Sequence, residues 1–136
     1  MPLSMMLAWL WGQLLGTSEL ALRLPNIFYL GIGAVAIWRI GVQCALPWLV
    51  LLYSFSPFLW QYADEARPYA LQIGLGAVIV AAFWQLATQD RSQLAPLLVF
   101  LGGCFLLFAT SLLAVVPVGM LCLALGTLWI LGKRPF

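Results

Sequence analysis

Three of the charged residues of this chain lie within four positions, in the stretch SPFLWQYADEARPYALQIG, which separates two apolar runs. Arg67, together with free amides at a helix start, could hold a phosphate, and Asp64 and Glu65 could orient that guanidinium or a sugar hydroxyl. Tyr62 and Tyr69 add hydroxyl groups and stacking surfaces on either side. The alternative is that the carboxylates are loop charges that a helix dipole stabilises by about 0.3–1 kcal/mol, with Arg67 as their ion-pair partner.

The composition indicates the environment of this cluster. Of the 136 residues, 65% are hydrophobic and only 7% are charged, which is too few to cover a soluble protein of this size. We therefore predict an integral membrane protein whose first partner is the lipid bilayer. The net charge of +2 is too small to indicate a nucleic-acid partner. The sequence contains no histidine, which excludes imidazole metal sites and histidine-based catalysis.

The cysteines point to packing rather than chemistry. Cys44, Cys104 and Cys122 are isolated within apolar runs and have no CxxC spacing. We interpret them as small core residues and not as metal ligands or disulfide partners. The sequence indicates no metal site and identifies no cofactor.

Charged residues should mark the boundaries of membrane spans, because a charge at mid-membrane is costly and a span needs about 20 apolar residues. The predicted spans are 25–41, 40–63, 68–89 and two within the uncharged run 92–132. Thr110 and Ser111 lie near the middle of that last run and are the expected turn between its two helices.

The N-terminal part predicts two further helices. Residues 1–18 place several leucines on one helical face and lack the basic start of a signal peptide, so an interfacial helix is favoured over a full span. Ser18 is a suitable cap for a short helix over 19–23, which we expect Pro25 to end before the first span begins.

This arrangement divides the charges unequally between the two sides of the membrane. One side carries a net charge of +3, from Arg39, Asp90, Arg91, Lys133 and Arg134, and the other carries −1, from Glu19, Arg23, Asp64, Glu65 and Arg67. The positive-inside rule makes the first side cytoplasmic and puts residues 64–67 on the external face. The predicted fold class is all-α: one transmembrane bundle over 1–136, with about five spans and an N-terminal interfacial helix.

Three sequence pieces carry a resemblance to a known family: the Pro-Leu start at Pro2, SELALRLP at 18–25 and SPFLWQYADEARPYAL at 56–71. In this order they resemble the N-terminal half of bacterial GT-C-type polytopic glycosyltransferases, relatives of dolichyl-phosphate-mannose protein mannosyltransferases and of the lipid A aminoarabinose transferase. The resemblance covers residues 2 to about 90. Glu65 and Arg67 match the family pattern, whereas family members usually have Gln or Ser at the position of Asp64.

The resemblance implies a function in the bacterial inner membrane: transfer of a sugar from a polyprenyl-phosphate carrier to an acceptor on the external face. It implies substrate-binding roles for Asp64, Glu65, Arg67, Tyr62 and Tyr69, and a divalent metal is possible in the family. The family's catalytic acid lies in a loop that would precede Met1, so we expect a fragment of a longer enzyme, inactive alone. The alternatives are a small non-catalytic membrane scaffold or assembly protein, or a piece of a transporter.

Overall fold

The protein is all-helical over the residues that the computed structural model describes, 2–64, 69–88 and 94–131; the side chains of Pro2, Asp64, Leu113 and Trp129 are outside this description. In chain order the α-helices are α1 Pro2–Leu15, α2 Glu19–Gln43, α3 Leu49–Ser54, α4 Pro57–Asp64, α5 Tyr69–Thr88, α6 Leu94–Thr110 and α7 Val115–Ile130. A short 3₁₀-helix, Leu112–Ala114, joins the last two. No strand occurs in the described ranges, which confirms the all-α prediction.

The helix α2 is longer than the sequence predicts. Ser18 caps it as expected, with its hydroxyl accepting a hydrogen bond from the Ala21 amide. The prediction that Pro25 ends a short helix is wrong, because one helix continues through Pro25 to Gln43. Proline removes only the hydrogen bond to the Ala21 carbonyl, and both of these residues are buried. Continuing the helix keeps the other backbone groups of this apolar segment paired.

Helices α2 and α5 run parallel and pack through small residues. Ala36 of α2 and Ala77 of α5 belong to one buried cluster. A Cβ added to Gly74 would lie 2.3 Å from the Tyr29 carbonyl oxygen, and one added to Gly33 would lie 3.2 Å from the Gly74 Cα. The two backbones therefore touch at this crossing, which only small residues allow.

The uncharged run 40–63 was predicted to form the second span. The prediction of one continuous helix there is wrong, because the run is divided between separate helices. The chain leaves α2 through a turn in which Ala45 has a positive φ of 57°. The following α3 ends at Ser54, and a new helix starts at Pro57. Proline lacks an amide proton and is suited to the first position of a helix, so it favours a break immediately before it.

The two short helices nevertheless return along α2. The Tyr53 hydroxyl donates a hydrogen bond of 3.4 Å to the Leu30 carbonyl, and the Asn26 side chain donates one of 3.3 Å to the Ala63 carbonyl. Residue numbers rise along α3 and α4 while those of their partners on α2 fall. This segment is therefore antiparallel to α2, which brings the start of α5 back to the end where α2 begins.

The main core lies between α5, α6 and α7. Its buried members are Ile79, Ala82, Leu86, Phe100, Cys104, Leu107, Ala114 and Val118. Gly103 brings α6 close to α5, since an added Cβ would lie 2.7 Å from the Ile79 Cγ1. The predicted turn at Thr110 and Ser111 is confirmed, because α6 ends at Thr110 and the 3₁₀-helix begins directly after Ser111.

The outer surface is largely apolar. Each of the seven α-helices described carries at least one exposed large hydrophobic side chain, such as Phe105 of α6 at 74% and Leu123 of α7 at 71% exposure. Two helices, α2 and α5, are long and apolar enough to cross a membrane, and α6 and α7 are shorter apolar helices. Of the free cysteines, Cys104 is buried, Cys44 is half-buried and Cys122 is exposed, so the prediction of a core position is wrong for Cys122.

Candidate functional site

The acidic and basic cluster lies in sequence between α4, which ends at Asp64, and α5, which begins at Tyr69. The rings of Tyr62 and Tyr69 are in contact, with centroids 4.9 Å apart and planes inclined by 48°. This aromatic pair holds the end of α4 against the start of α5. The two tyrosines predicted from sequence are thus brought together at one end of the helical bundle.

Of the other predicted site residues, the structure describes only the backbone of one. The backbone of Asp64 forms the last residue of α4, and its side chain is outside the described set. Glu65 and Arg67 also lie outside the described residues. Their substrate-binding roles stay predictions.

Asn26 is a residue at this end of the molecule that the sequence reasoning missed. Its side chain is buried, at 6% exposure, and its Nδ2 donates to the Ala63 carbonyl at 3.3 Å. Ala63 is one of the last residues of α4, whose carbonyls have no partner within their own helix. Asn26 therefore fixes the end of α4 to α2. An amide directly after Pro25 in an apolar run was the signal that could have identified it.

Trp60 stabilises the interruption between α3 and α4. Its indole Nε1 donates to the Ser54 carbonyl at 2.9 Å, which pairs a backbone oxygen that the broken helix leaves free. The ring itself is 65% exposed. The side of α4 away from the bundle thus presents a broad aromatic surface near the Tyr62 and Tyr69 pair.

Arg23 supplies a described cation at this end of α2. It is three residues, about 4.5 Å of helix rise, from Asn26. Its guanidinium forms an ion pair with Glu19 one turn earlier. Such an exposed pair contributes about 0–1 kcal/mol.

The described polar groups at this end do not form a set of metal ligands. Within residues 2–64, 69–88 and 94–131 no three His, Cys, Asp or Glu side chains are grouped so that they could hold a metal ion. No family model, curated protein or solved structure matches the chain.

Chemically, this end of the bundle combines three kinds of group. Tyr62, Tyr69 and Trp60 offer flat rings with hydroxyl or indole donors, which suit a ligand that has both apolar faces and hydroxyl groups. Glu65 and Arg67 lie between these two tyrosines in the sequence and outside the described residues.

Proposed function

We propose that the chain is the membrane module of a glycosyltransferase that moves a sugar from a polyprenyl-phosphate carrier to an acceptor on the external face of a bacterial inner membrane. The observation that carries the proposal is the contact between Tyr62 and Tyr69, the two described tyrosines that flank Glu65 and Arg67 in the sequence. The same segment, at 56–71, carries the most specific part of the resemblance to GT-C-type glycosyltransferases. The geometric feature and the sequence motif therefore coincide.

The proposal includes about five membrane crossings, preceded by α1 as an interfacial helix. The crossings are α2, the interrupted pair α3 and α4, then α5, α6 and α7. This topology is supported by the apolar outer surface, by the parallel course of α2 and α5, and by the return of α3 and α4 along α2. The difference in net charge between the two ends, +3 against −1, assigns the cluster to the external side.

In this proposal Arg67 binds the carrier phosphate and Glu65, with Asp64, orients Arg67 or a sugar hydroxyl. The guanidinium would stabilise the negative charge that develops on the phosphate as it leaves the anomeric carbon. Tyr62 and Tyr69 would contact the sugar. The acceptor attacks with inversion, and a carboxylate base for that attack would contribute about 10²- to 10⁴-fold; the resemblance places this base outside the present cluster.

Carrier binding can be tested with the purified chain in nanodiscs. A radiolabelled polyprenyl phosphate should bind to the wild type, and Arg67→Ala should weaken binding about 10- to 100-fold, as expected for loss of a charged hydrogen bond. Arg67→Lys should also weaken it, because an ammonium cannot make the planar bidentate contact. The neutral polyprenol with the same tail should bind equally to all variants.

Arg39→Ala is the matched control, since Arg39 is exposed near the opposite end of α2. It should bind the phosphate as the wild type does. Equal loss in Arg39→Ala and Arg67→Ala would indicate a general charge effect and would remove Arg67 from the site.

The alternative function is that of a non-catalytic membrane scaffold or assembly protein. It is favoured by two buried polar side chains, both of which donate hydrogen bonds to backbone carbonyls and so have a structural role. The Asn26 amide pairs with the Ala63 carbonyl, and the Thr110 hydroxyl donates to the Leu107 carbonyl at 2.7 Å. A wild-type chain that binds polyprenyl phosphate no better than polyprenol would favour this alternative.

A further inference from the structure

A cavity of about 260 Å³ lies beside α5, between it and the segment from α6 to α7. We call it the Gln72 cavity. Its lining side chains are apolar except for that of Gln72 and are contributed by Gln72, Gly76, Ile79, Val80, Leu107, Ala114, Pro117, Val118 and Leu121. From Gln72 to Val80 it follows α5 for eight residues, or about 12 Å of helix rise. The cavity is thus long and apolar, except near the end at which Gln72 lies.

The polar end has an unmet hydrogen-bonding requirement. Gln72 is half-buried, and its Nε2 is buried and finds no acceptor among the residues that the structure describes. An amide donor in such a position is costly unless it is paired. The last torsion of glutamine is broad and roughly two-fold, so the amide has another orientation available when an acceptor enters the cavity. Water is a poor candidate, since a buried water needs two to four polar partners and Gln72 is the only polar side chain of the lining.

The position of Gln72 limits what the acceptor can be. Gln72 is the fourth residue of α5, about one helical turn after its start. In the membrane topology proposed above, this is the depth at which polar headgroups give way to acyl chains. The remaining apolar length of the cavity runs from there toward the membrane interior.

We propose that the Gln72 cavity binds one acyl chain of a membrane glycerolipid and that the Gln72 amide donates a hydrogen bond to the ester carbonyl of that chain. An apolar chain with a single acceptor at its outer end agrees with a lining that is apolar except for Gln72. The proposal rests on the membrane placement within the proposed function and is independent of sugar transfer and of the 64–67 cluster.

The ester carbonyl can be tested by a cycle of two lipids and two proteins. Native mass spectrometry of delipidated chain in detergent measures binding of a diacyl phosphatidylglycerol and of its diether analogue, which lacks both carbonyls. The wild type should prefer the ester lipid by about three- to tenfold, the size expected for one net hydrogen bond. Gln72→Leu should bind the two lipids equally. An equal preference in both proteins would overturn the assignment of Gln72.

The cavity itself can be tested by filling it. Gly76→Leu puts a large side chain into the lining of the cavity. Gly102→Leu is the matched control, because Gly102 lies on α6 and is not part of the lining. At both positions an added Cβ would have no atoms within 4 Å. Gly76→Leu should lose the bound lipid and Gly102→Leu should retain it, with thermal melts showing that both fold. Equal retention would overturn the proposal.

The identity of the lipid separates this inference from the proposed function. Lipid extracted from the wild type after detergent washing should be a diacyl glycerolipid at about one per chain. Recovery of polyprenyl phosphate in the Gln72 cavity instead, lost on Gly76→Leu, would overturn the glycerolipid assignment while favouring carrier binding. Recovery of detergent alone would overturn it by showing an adventitious additive only.

Discussion

The crossing of α2 and α5 leads to a quantitative prediction for Gly74→Ala. The added Cβ would lie 2.3 Å from the Tyr29 carbonyl oxygen, a backbone atom that no side-chain rotation can move. Because ordinary contacts begin near 3.5 Å, the helices must separate by about 1 Å. Overpacking of this kind costs up to about 3 kcal/mol, and the gain in helix propensity returns at most about 1 kcal/mol. We expect a net destabilisation of about 2 kcal/mol, or about a 30-fold fall in the ratio of folded to unfolded protein.

The assay is reversible unfolding of the purified chain in mixed micelles with rising SDS, followed by circular dichroism. Gly31→Ala is the matched control, because Gly31 lies on α2 with nothing within 4 Å of an added Cβ. It should leave the free energy of unfolding unchanged or raise it by up to about 1 kcal/mol. A Gly74→Ala protein within about 0.5 kcal/mol of the wild type would refute the close backbone contact.

A second pair of substitutions checks the same geometry from α2. A Cβ added to Gly33 would lie 2.3 Å from the Tyr53 hydroxyl oxygen, which is the end of a side chain. Tyr53→Phe removes that atom, so Gly33→Ala should cost less in the Tyr53→Phe background, by at least about 0.5 kcal/mol. Gly74→Ala should gain no such relief from Tyr53→Phe, since its obstacle is the backbone at Tyr29. If Tyr53→Phe reduced the destabilisation caused by both Gly→Ala substitutions, or by neither, the described crossing of α2 and α5 would be contradicted.

Two further predictions concern topology and the end of α4. In a chain without its native cysteines, Asp64→Cys should react with a membrane-impermeant maleimide in intact cells and Gln43→Cys only after the inner face is exposed; the reverse pattern would show that the orientation is wrong. Asn26→Leu should lower the free energy of unfolding by about 1–3 kcal/mol, because it removes the buried Asn26 amide that donates to the Ala63 carbonyl. An unchanged unfolding midpoint for Asn26→Leu would mean that water or another group satisfies this carbonyl equally well.

Local signals in the sequence predicted the elements that depend on neighbouring residues. The Ser18 cap, the helix near 68–89 and the turn at Thr110 and Ser111 all follow from a capping side chain, flanking charges or a break in apolar composition. The structure places these features at Ser18, Tyr69–Thr88 and Ser111. Their causes lie within a few residues of the features themselves, which is why a single sequence is enough.

Tertiary contacts decided the features that the sequence did not reveal. The helix passes through Pro25 at a place where Pro25 and Asn26 are both buried, whereas local helix-breaking rules predict an end there. The contact of Gly33 with Gly74 joins residues 41 positions apart. Nothing in either apolar run indicates which other run it packs against. At the candidate site, the sequence predicted Tyr62 and Tyr69 on either side of the charged cluster but not the contact of their rings, and the support of α4 by Asn26 depends on a contact between distant segments.

The parallel course of α2 and α5 constrains the topology independently of charge. If α2 crosses a bilayer, its parallel neighbour α5 must begin on the side where α2 begins, so Glu19, Arg23 and the 64–67 segment share one side. The intervening chain must then return across the same thickness, and the antiparallel contacts of Tyr53 and Ala63 with α2 trace that return. The spans predicted from the sequence put the same residues on one side, and the positive-inside rule then makes the opposite side cytoplasmic. The packing of α2 against α5 bears on which residues share a side, whereas the placement of Lys and Arg bears on which side is external, so labelling at position 64 tests the orientation.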